Sequence, residues 1–306
     1  MYRTVRYFLL KVSVFLSRLT PLQLVRAGAW LGVLWYYVLR IRKSVVMANI
    51  SRVFPERPTF QQRRIARRFY ESFSTSILEF LAIHSRDQGI AQPSVRGIEH
   101  YLDAMEKGRG IVAVTAHMGN FDLLACSQAL IKVPLGIVSK RLTNRAVNDF
   151  WMNTRANCGV RIFEEGSPAA AVFRWLTHGK VLGVVVDQRL SQAKGGVLVP
   201  FLGYRVWTSV AAADLALRTG ATLLPVMIHR NADGCHEIVF EREISLVDVQ
   251  GRKRGRIELM TQIHSVLEQW IVAFPEEWMW IHRRFKDAVK IASNSDMDSG
   301  AEGTFH

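Results

Sequence analysis

Short apolar runs alternate with helix-length stretches over the C-terminal two thirds of the chain. The runs long enough to form strands are IVAVTA (111–116), LGIVS (135–139), VLGVVV (181–186), TLLPVMI (222–228) and HEIVFER (236–242). Apolar runs of this length, separated by helical segments, are typical of βαβ units whose strands are buried on both faces. The pattern therefore predicts an α/β fold with a mostly parallel central sheet flanked by helices.

The first forty residues follow a different pattern, in which basic side chains recur among aromatic and aliphatic ones. On a helix, the first four cations fall within an arc of about 140° and leave the rest of the circumference apolar. These cations are Arg3, Arg6, Lys11 and Arg18. Such a pattern predicts an amphipathic helix that lies in a membrane interface.

A second N-terminal helix is predicted from Pro21, with Thr20 in position to cap it. Its uncharged stretch, 27–39, has 13 residues, whereas a helix that crosses a bilayer core needs about 20. Basic residues recur through the apolar region and no small-residue cleavage site follows, which argues against a signal peptide. Three interpretations stay open: interfacial helices, one membrane-spanning helix, or helices that cover the core of a soluble domain.

The basic residues concentrate at the N-terminal end. The formal net charge is +14, and residues 1–68 hold 14 Lys and Arg side chains against one acid, Glu56. A basic excess at one end indicates an anionic partner surface. The apolar neighbours of these cations favour anionic membrane lipids over a nucleic acid. We therefore predict a basic, membrane-associated helical segment (1–68), an α/β domain (69–290) and a small polar tail (291–306) that is disordered.

Cysteine and histidine usage indicates neither a metal nor a disulfide framework. The three cysteines, Cys126, Cys158 and Cys235, are widely separated, which favours a reducing, cytoplasm-facing compartment. There is no HExxH motif, no clustering of His with Cys, and no glycine-rich phosphate loop. We therefore predict no metal and no cofactor.

Polar side chains directly follow three of the predicted strands. His117 follows the first, Lys140 with Arg141 follows the second, and Asp187 with Gln188 follows the third. Ligands bind beyond the carboxyl ends of the strands in sheets of this type. These three groups are therefore predicted to form one site.

The spacing between His117 and Asp122 predicts a catalytic pair. The strand is followed by Gly119, a flexible turn residue, and by Asn120, a good N-cap for a helix that begins at Phe121. His117 is then expected to lie over the first helical turn, where Asp122 accepts its Nδ1 proton and leaves Nε2 free as a base. The alternative is a strand-end histidine bonded to a capping acid without any chemistry.

No protein nucleophile is evident near this pair. The chain has no GxSxG motif, and the nearest cysteine, Cys126, lies on an apolar helical face. A His–Asp pair without a nucleophile indicates that the substrate's own hydroxyl is deprotonated and attacks an activated acyl group.

Four ordered motifs carry a family resemblance: HMGNFD (117–122), VVVDQ (184–188), GGVLVPFLG (195–203) followed by Thr208, and PEEWMWIHRRFK (275–286). With these motifs the chain resembles the bacterial lysophospholipid acyltransferase-like superfamily, and within it the lipid A biosynthesis (lauroyl/myristoyl) acyltransferases. The likeness spans roughly residues 1–287. It implies transfer of a fatty acyl chain from acyl carrier protein or coenzyme A to a lipid hydroxyl, at the cytoplasmic face of the inner membrane.

The resemblance also implies roles for individual residues. It makes His117 and Asp122 the catalytic pair, and it places Arg155, Asp187, Gln188 and Gly195 around the active cleft. Lys140, which follows a predicted strand, and Thr208, which follows the GGVLVPFLG motif, complete the predicted substrate-binding group. Two of these residues have plainer interpretations from the sequence, because Arg155 could pair with Glu164 or Glu165 on a helix, and Asp187 could be satisfied by backbone at a strand end.

One departure from the family leaves the acceptor open. The lipid A enzymes usually carry Glu at the position of Asp122, and an HxGN(F/W)D motif is also similar to that of the phosphatidylinositol mannoside acyltransferases. Either carboxylate can orient a histidine. The leading prediction is a glycolipid acceptor of the lipid A type; the alternatives are a phosphatidylinositol mannoside, a lysophospholipid, or a membrane-bound lipid-binding protein without turnover.

Overall fold

The computed structural model describes residues 1–85, 93–127 and 134–291. Its helices are α1 (Tyr2–Ser17), α2 (Pro21–Leu34), α3 (Lys43–Val53), α4 (Thr59–Ile83), α5 (Ile98–Glu106), α6 (Phe121–Cys126), α7 (Arg145–Asn157), α8 (Ala169–Thr177), α9 (Ala211–Thr219) and α10 (Arg256–Ala273). Its strands are β1 (Ser94–Arg96), β2 (Ile111–Thr115), β3 (Leu135–Ser139), β4 (Arg161–Glu164), β5 (Val181–Val185), β6 (Val197–Phe201), β7 (Tyr204–Thr208), β8 (Thr222–Arg230), β9 (His236–Phe240) and β10 (Val289–Lys290). The predicted tail lies outside the described residues except for Ile291.

The central sheet is mostly parallel, as predicted. Its strand order is β1-β9-β8-β2-β5-β3-β4, and every neighbouring pair is parallel except β8 with β9. The five strands expected from apolar runs are β2, β3, β5, β8 and β9. Helices flank the sheet, and the α/β class is confirmed.

The sequence pattern missed the strands outside the apolar runs. β1 and β4 are the short edge strands of the central sheet, and β6 with β7 forms a hairpin that joins β10 in a second sheet. The hairpin turns at Leu202 and Gly203, both with positive φ of 49° and 79°. A two-residue turn of this geometry usually carries Asn-Gly, so the Leu-Gly sequence hides it.

The register of β2 against β5 positions the site. Thr115 pairs with Val185 in the parallel ladder. A polar side chain lies two residues beyond each member of this pair: His117 follows β2, and Asp187 follows β5. These two residues therefore leave the sheet side by side.

The two N-terminal helices have the predicted break between them. Thr20 caps α2, because its hydroxyl accepts a hydrogen bond from Gln23 N at 3.3 Å while the Gln23 side chain accepts one from Thr20 N at 2.9 Å. α2 then packs closely along α4. A Cβ on Gly28 would lie 2.2 Å from Thr75 Oγ1, and one on Gly32 would lie 2.4 Å from the Glu71 backbone.

A π-helical turn (Trp35–Leu39) extends α2, so the combined helix Pro21–Leu39 has 19 residues. By length and composition it is apolar and long enough to cross a membrane. It is longer than the uncharged stretch counted from the sequence because it starts at Pro21 and includes Arg26. The predicted boundary between residues 68 and 69 falls inside α4 (Thr59–Ile83), which links the N-terminal helices to the sheet.

Large apolar side chains remain exposed on the N-terminal helices. They include Phe8, Phe15, Leu22, Trp30, Tyr37, Val38 and Leu39, with Trp30 77% exposed. By contrast, the aromatic residues of the C-terminal motif are core residues, with Trp278, Trp280 and Phe285 at most 2% exposed. The apolar surface is therefore concentrated at the basic end of the chain.

Candidate functional site

His117 and Asp187 form a hydrogen-bonded pair at the carboxyl-terminal edge of the central sheet. The Nδ1 atom of His117 lies 2.8 Å from Asp187 Oδ1, and the backbone N–H of His117 donates to Asp187 Oδ2 at 3.0 Å. Trp278 Nε1 also donates to Oδ2, at 2.8 Å. The carboxylate is thus held by three donors, two of them from the histidine itself.

These contacts keep Asp187 ionised. Burial alone would raise the pKa of Asp187, but the positive charge that His117 carries when protonated, the hydrogen bonds from His117 and the bond from Trp278 lower it to about 2. A carboxylate can only accept, so when the imidazole is neutral its proton resides on Nδ1 and Nε2 carries the lone pair. The pair has the geometry of an oriented general base.

The imidazole of His117 is partly exposed, whereas the carboxylate that holds it is buried. The side chain of His117 is 19% exposed, whereas that of Asp187 is 3% exposed. The amide Nε2 of the exposed Gln188 lies 3.3 Å from His117 Nε2, and the ring of Phe121 packs edge-on against the imidazole. Among the described residues, no Ser, Thr or Cys side chain hydrogen-bonds to this imidazole, so the site presents a base without a protein nucleophile.

Asp122 does not accept the Nδ1 proton of His117, contrary to the expectation from the sequence. Its Oδ1 accepts from Arg155 Nε at 2.8 Å and lies 2.6 Å from Arg155 Nη2, while its Oδ2 accepts from Trp151 Nε1 at 3.0 Å. Both donors are on α7, and Asp122 is in the first turn of α6. The carboxylate is therefore turned toward α7, and it joins the two helices behind the site.

These contacts also exclude the alternative prediction that Arg155 pairs with Glu164 or Glu165. Glu164 pairs with Arg141 and Glu165 lies near Lys140, so neither meets Arg155. Arg155 Nη1 also donates to the Ser139 hydroxyl at 3.2 Å. This arginine therefore ties α7 to α6 and to the end of β3.

The turn from His117 to Asn120 is held from both sides. Met279 N donates to His117 O at 2.9 Å, and Gly119 N donates to Glu277 O at 3.0 Å. Gly119 has a φ of 54°, and a Cβ there would lie 2.2 Å from Ile228 O. Asn120 caps α6, accepting from Leu123 N at 2.9 Å.

A buried ionic cluster lies beneath this turn. Glu79 on α4 accepts from Asn120 Nδ2 at 2.9 Å and forms a two-point ion pair with Arg230, while His236 Nε2 lies 3.1 Å away. Burial opposes the ionised form of Glu79, but the His236 and Arg230 contacts lower its pKa to about 2. Burial raises the pKa of nearby Glu277 to about 7, against the opposing effect of Arg230.

The remaining predicted residues have different placements. Lys140 follows β3 at the same edge, with a side chain 76% exposed and its Nζ 3.9 Å from Glu165. Gly195 lies at the end of a short 3₁₀ turn with a φ of 83° and open space where a Cβ would be. Thr208 is fully buried and its hydroxyl accepts from Arg284, so in this structure it contacts the core behind the site.

Two residues of the C-terminal motif were not predicted as part of the site. Trp278 bonds to Asp187, and the fully buried Arg284 donates to the carbonyl of Gln188 at 2.9 Å. The signal that could have identified them is the PEEWMWIHRRFK motif (275–286), which combines aromatic and basic residues. Over residues 1–85, 93–127 and 134–291, no group of three or more His, Cys, Asp and Glu side chains is arranged to hold a metal ion.

The fold and the site define an α/β protein with an oriented imidazole base at the carboxyl ends of its strands. A sequence model of the bacterial lipid A biosynthesis acyltransferases matches residues 1–287. The chain therefore belongs to this family, and it is an acyltransferase.

Several characterised relatives agree with this membership. The chain is 27% identical over 271 residues to the lipid A biosynthesis lauroyltransferase of Escherichia coli (strain K12), covering 85% of this chain and 84% of the relative. It is 22% identical to the lipid A biosynthesis palmitoleoyltransferase of the same organism, with 85% and 83% covered. It is 26% identical to the phosphatidylinositol mannoside acyltransferase of Mycolicibacterium smegmatis (strain ATCC 700084 / mc(2)155), with 75% and 80% covered.

Proposed function

We propose that this acyltransferase moves a fatty acyl chain from a thioester donor to a hydroxyl of a lipid A-type glycolipid, with His117 as the general base and Asp187 as the carboxylate that orients it. The observation that carries the proposal is the His117–Asp187 pair, in which Nδ1 is bonded to a buried carboxylate while the imidazole stays partly exposed. Family membership supplies the reaction class.

The reaction follows from the state of the two nitrogens. Nε2 removes the proton of the acceptor hydroxyl as its oxygen attacks the thioester carbonyl, and Asp187 stabilises the imidazolium that forms. The tetrahedral intermediate collapses with cleavage of the C–S bond. The leaving thiolate takes the proton back from Nε2, so the products are an ester and a free thiol.

Gln188 marks where the acceptor binds. Its amide nitrogen lies beside the imidazole, 3.3 Å from Nε2 and 3.5 Å from Nδ1 of His117, and its side chain is exposed. Because this amide lies almost equally far from the two ring nitrogens, it leaves the lone-pair direction of Nε2 open to a bound hydroxyl. Lys140 and Gly195, at the same edge and in an adjacent turn, are proposed to contact substrate. Asp122 and Arg155 are proposed to support the site through the contact between α6 and α7.

The donor is proposed to be an acyl thioester of acyl carrier protein, with coenzyme A as the alternative. Acyl carrier protein is acidic, and α4 begins with a run of basic residues. That run comprises Arg63, Arg64, Arg67 and Arg68. Complementary charge speeds the encounter of such partners.

We propose that the chain acts at the cytoplasmic face of the inner membrane, as a peripheral or monotopic protein bound to anionic lipids. Exposed side chains such as Phe8, Phe15 and Trp30 supply apolar insertion next to the basic residues. α2 packs along α4, and α4 in turn reaches the site through Glu79. A helix held in this way favours an in-plane orientation over an independent span.

A second acceptor, a phosphatidylinositol mannoside, has one specific observation in its favour. This chain carries Asp122 within HMGNFD, and it is 26% identical to a phosphatidylinositol mannoside acyltransferase. A lysophospholipid acceptor uses the same chemistry.

The test is a comparison of lipids from a strain that lacks the gene, complemented with wild type, His117→Ala or the control His178→Ala. His178 is exposed and follows α8, far from the site. We expect mass spectrometry of the strain that lacks the gene to show a lipid A species without one of its acyl chains. Wild type and the control should restore that acyl chain, whereas His117→Ala should not. Loss from a mannoside instead would favour the second acceptor. An unchanged lipid profile would contradict the proposal and favour a lipid-binding protein without turnover.

A further inference from the structure

Arg284 is a cation enclosed by neutral acceptors directly behind the site. Its side chain is fully buried, and Nη1 donates to the carbonyls of Gln188 and Trp207, both at 2.9 Å. Nη2 donates to Thr208 Oγ1 at 2.5 Å and lies 3.3 Å from His264 Nε2. Within the described part of the chain, no carboxylate lies within ion-pair distance of this guanidinium.

The histidine in this shell is neutral. His264 Nδ1 donates to Pro200 O at 2.8 Å, so its Nε2 is free to accept from Arg284. Burial, followed by the charge of Arg284, lowers the pKa of His264 to about 3. His264 therefore supplies no negative charge and no proton near neutral pH.

Arg284 holds the backbone directly after Asp187, because its Nη1 donates to the carbonyl of Gln188 at 2.9 Å. Burial lowers the pKa of Arg284 to about 10, and the charge of Asp187 is the effect that opposes this decrease. A buried guanidinium without a contacting acid is costly unless a charge nearby compensates it. Asp187 is adjacent in sequence to Gln188, whose carbonyl Arg284 holds, so the two charges are fixed relative to each other by the backbone.

We propose that Arg284 is a positioning residue for the His117–Asp187 pair, fixing the Gln188 backbone and balancing the charge of Asp187. The inference rests on the proposed function of that pair. Without the cation, Asp187 would face His117 as an unbalanced buried carboxylate. The imidazolium would then be more stable, and a smaller fraction of the enzyme would hold the free base at neutral pH.

Several other ionisable groups lie around the pair and are unchanged in the variants compared. The charge of Asp187 acts on both His282 and His264, and Arg42, before α3, acts on His282. Glu277 holds the turn after His117 through its backbone carbonyl, and the Asp122–Arg155 pair joins α6 to α7. Burial lowers the pKa of His282 to about 4, so this residue is neutral over the working range. Glu277 titrates near neutrality, and it is present in every variant compared.

The experiment compares Arg284→Gln, which loses the charge, with Arg284→Lys, which keeps it. In the full-length protein, NMR of labelled histidine follows the His117 imidazole, assigned by its absence in His117→Ala. We expect the midpoint of that titration to rise by about one pH unit in Arg284→Gln and by much less in Arg284→Lys. The acidic limb of the kcat profile should move by the same amount, with at least a tenfold loss of kcat at pH 7, an unchanged KM for the donor, and partial recovery at higher pH.

The control for stability is Leu176→Ala, which leaves a cavity at the buried end of α8, next to Gly110 at the amino-terminal end of β2. It should lower the melting temperature without moving either midpoint. If Arg284→Gln titrates and turns over like wild type, the proposal is wrong. If that variant does not fold, Arg284→Lys still decides, because a rise of a full unit with the charge retained would contradict charge balancing. If wild type shows no acyl transfer, the proposed function fails, whereas the NMR midpoints still test the role of Arg284.

Discussion

The two carboxylates near His117 should respond differently to the same substitution. Asp187 accepts from His117 twice and from Trp278 once, whereas Asp122 contacts only α7 residues among the bonds described above. In Asp187→Asn, one oxygen can still accept from a ring or backbone N–H. The new NH₂ group must then face a second donor, so the substitution misorients the imidazole as well as removing its counter-charge.

The structure sets the scale of the effect. The pKa of Asp187 falls from 3.8 to about 2 despite full burial, which corresponds to about 2 kcal/mol in favour of the ionised form. The imidazolium that forms during the reaction gains more from this carboxylate than the neutral ring does. We therefore expect Asp187→Asn to lower kcat by about 10²- to 10⁴-fold, the range for an oriented base that loses its orienter.

Asp122→Asn should act mainly on stability. It leaves Arg155 partly buried without its carboxylate, and breaking such a pair costs about 3 kcal/mol. We expect a lower melting temperature and a kcat at least tenfold above that of Asp187→Asn. The assay is the initial rate with a labelled acyl thioester at saturating acceptor, normalised to folded protein. The reverse order of the two kcat values would refute the assignment of Asp187 as the orienting carboxylate.

Three further outcomes are expected. Burial raises the pKa of Glu277 to about 7, so between about pH 4.5 and pH 7 the folded protein retains a proton that the unfolded chain has lost. The free energy of unfolding therefore falls as the pH rises through this range. Glu277→Gln should raise the melting temperature at pH 8 and leave it unchanged at pH 4.5. Deletion of residues 1–39 should release protein from anionic vesicles in a sedimentation assay, whereas high salt should release the intact chain only in part, since screening leaves apolar insertion in place; complete release by salt would indicate a purely electrostatic contact. Four arginines of α4 are changed to Glu together: Arg63, Arg64, Arg67 and Arg68. This variant should raise the KM for acyl carrier protein more than the KM for acyl coenzyme A, whereas the control Arg161→Glu/Arg174→Glu should not. An equal effect on both donors would exclude carrier docking at α4.

The sequence was most informative where apolar runs set the strands. Buried strands such as β2 and β5 are continuous apolar segments, so their ends, and the polar residues after them, could be predicted. The edge strands β1 and β4 are too short for this signal. The β6–β7 hairpin was missed because Leu202 takes a left-handed conformation that its side chain does not suggest.

The partner of His117 could be identified only from the register of β2 against β5. The sequence placed His117 and Asp187 at one edge, but it favoured Asp122 as the partner because that residue is close in sequence. Thr115 lies opposite Val185 in the parallel ladder, which brings Asp187 alongside His117. Asp122 is withdrawn by Arg155, a residue 33 positions away. Neither the pairing of Asp187 with His117 nor that of Asp122 with Arg155 can be predicted from residue spacing within one segment of the chain.

We propose that His117 deprotonates the lipid hydroxyl that receives the acyl chain. The most direct test is the rate of acyl-ester formation by purified full-length wild type and His117→Ala, in vesicles that contain the glycolipid acceptor and a labelled acyl carrier protein donor. We expect an acylated glycolipid from wild type and a rate at least about a hundredfold lower from folded His117→Ala. Near-normal turnover by His117→Ala would contradict it.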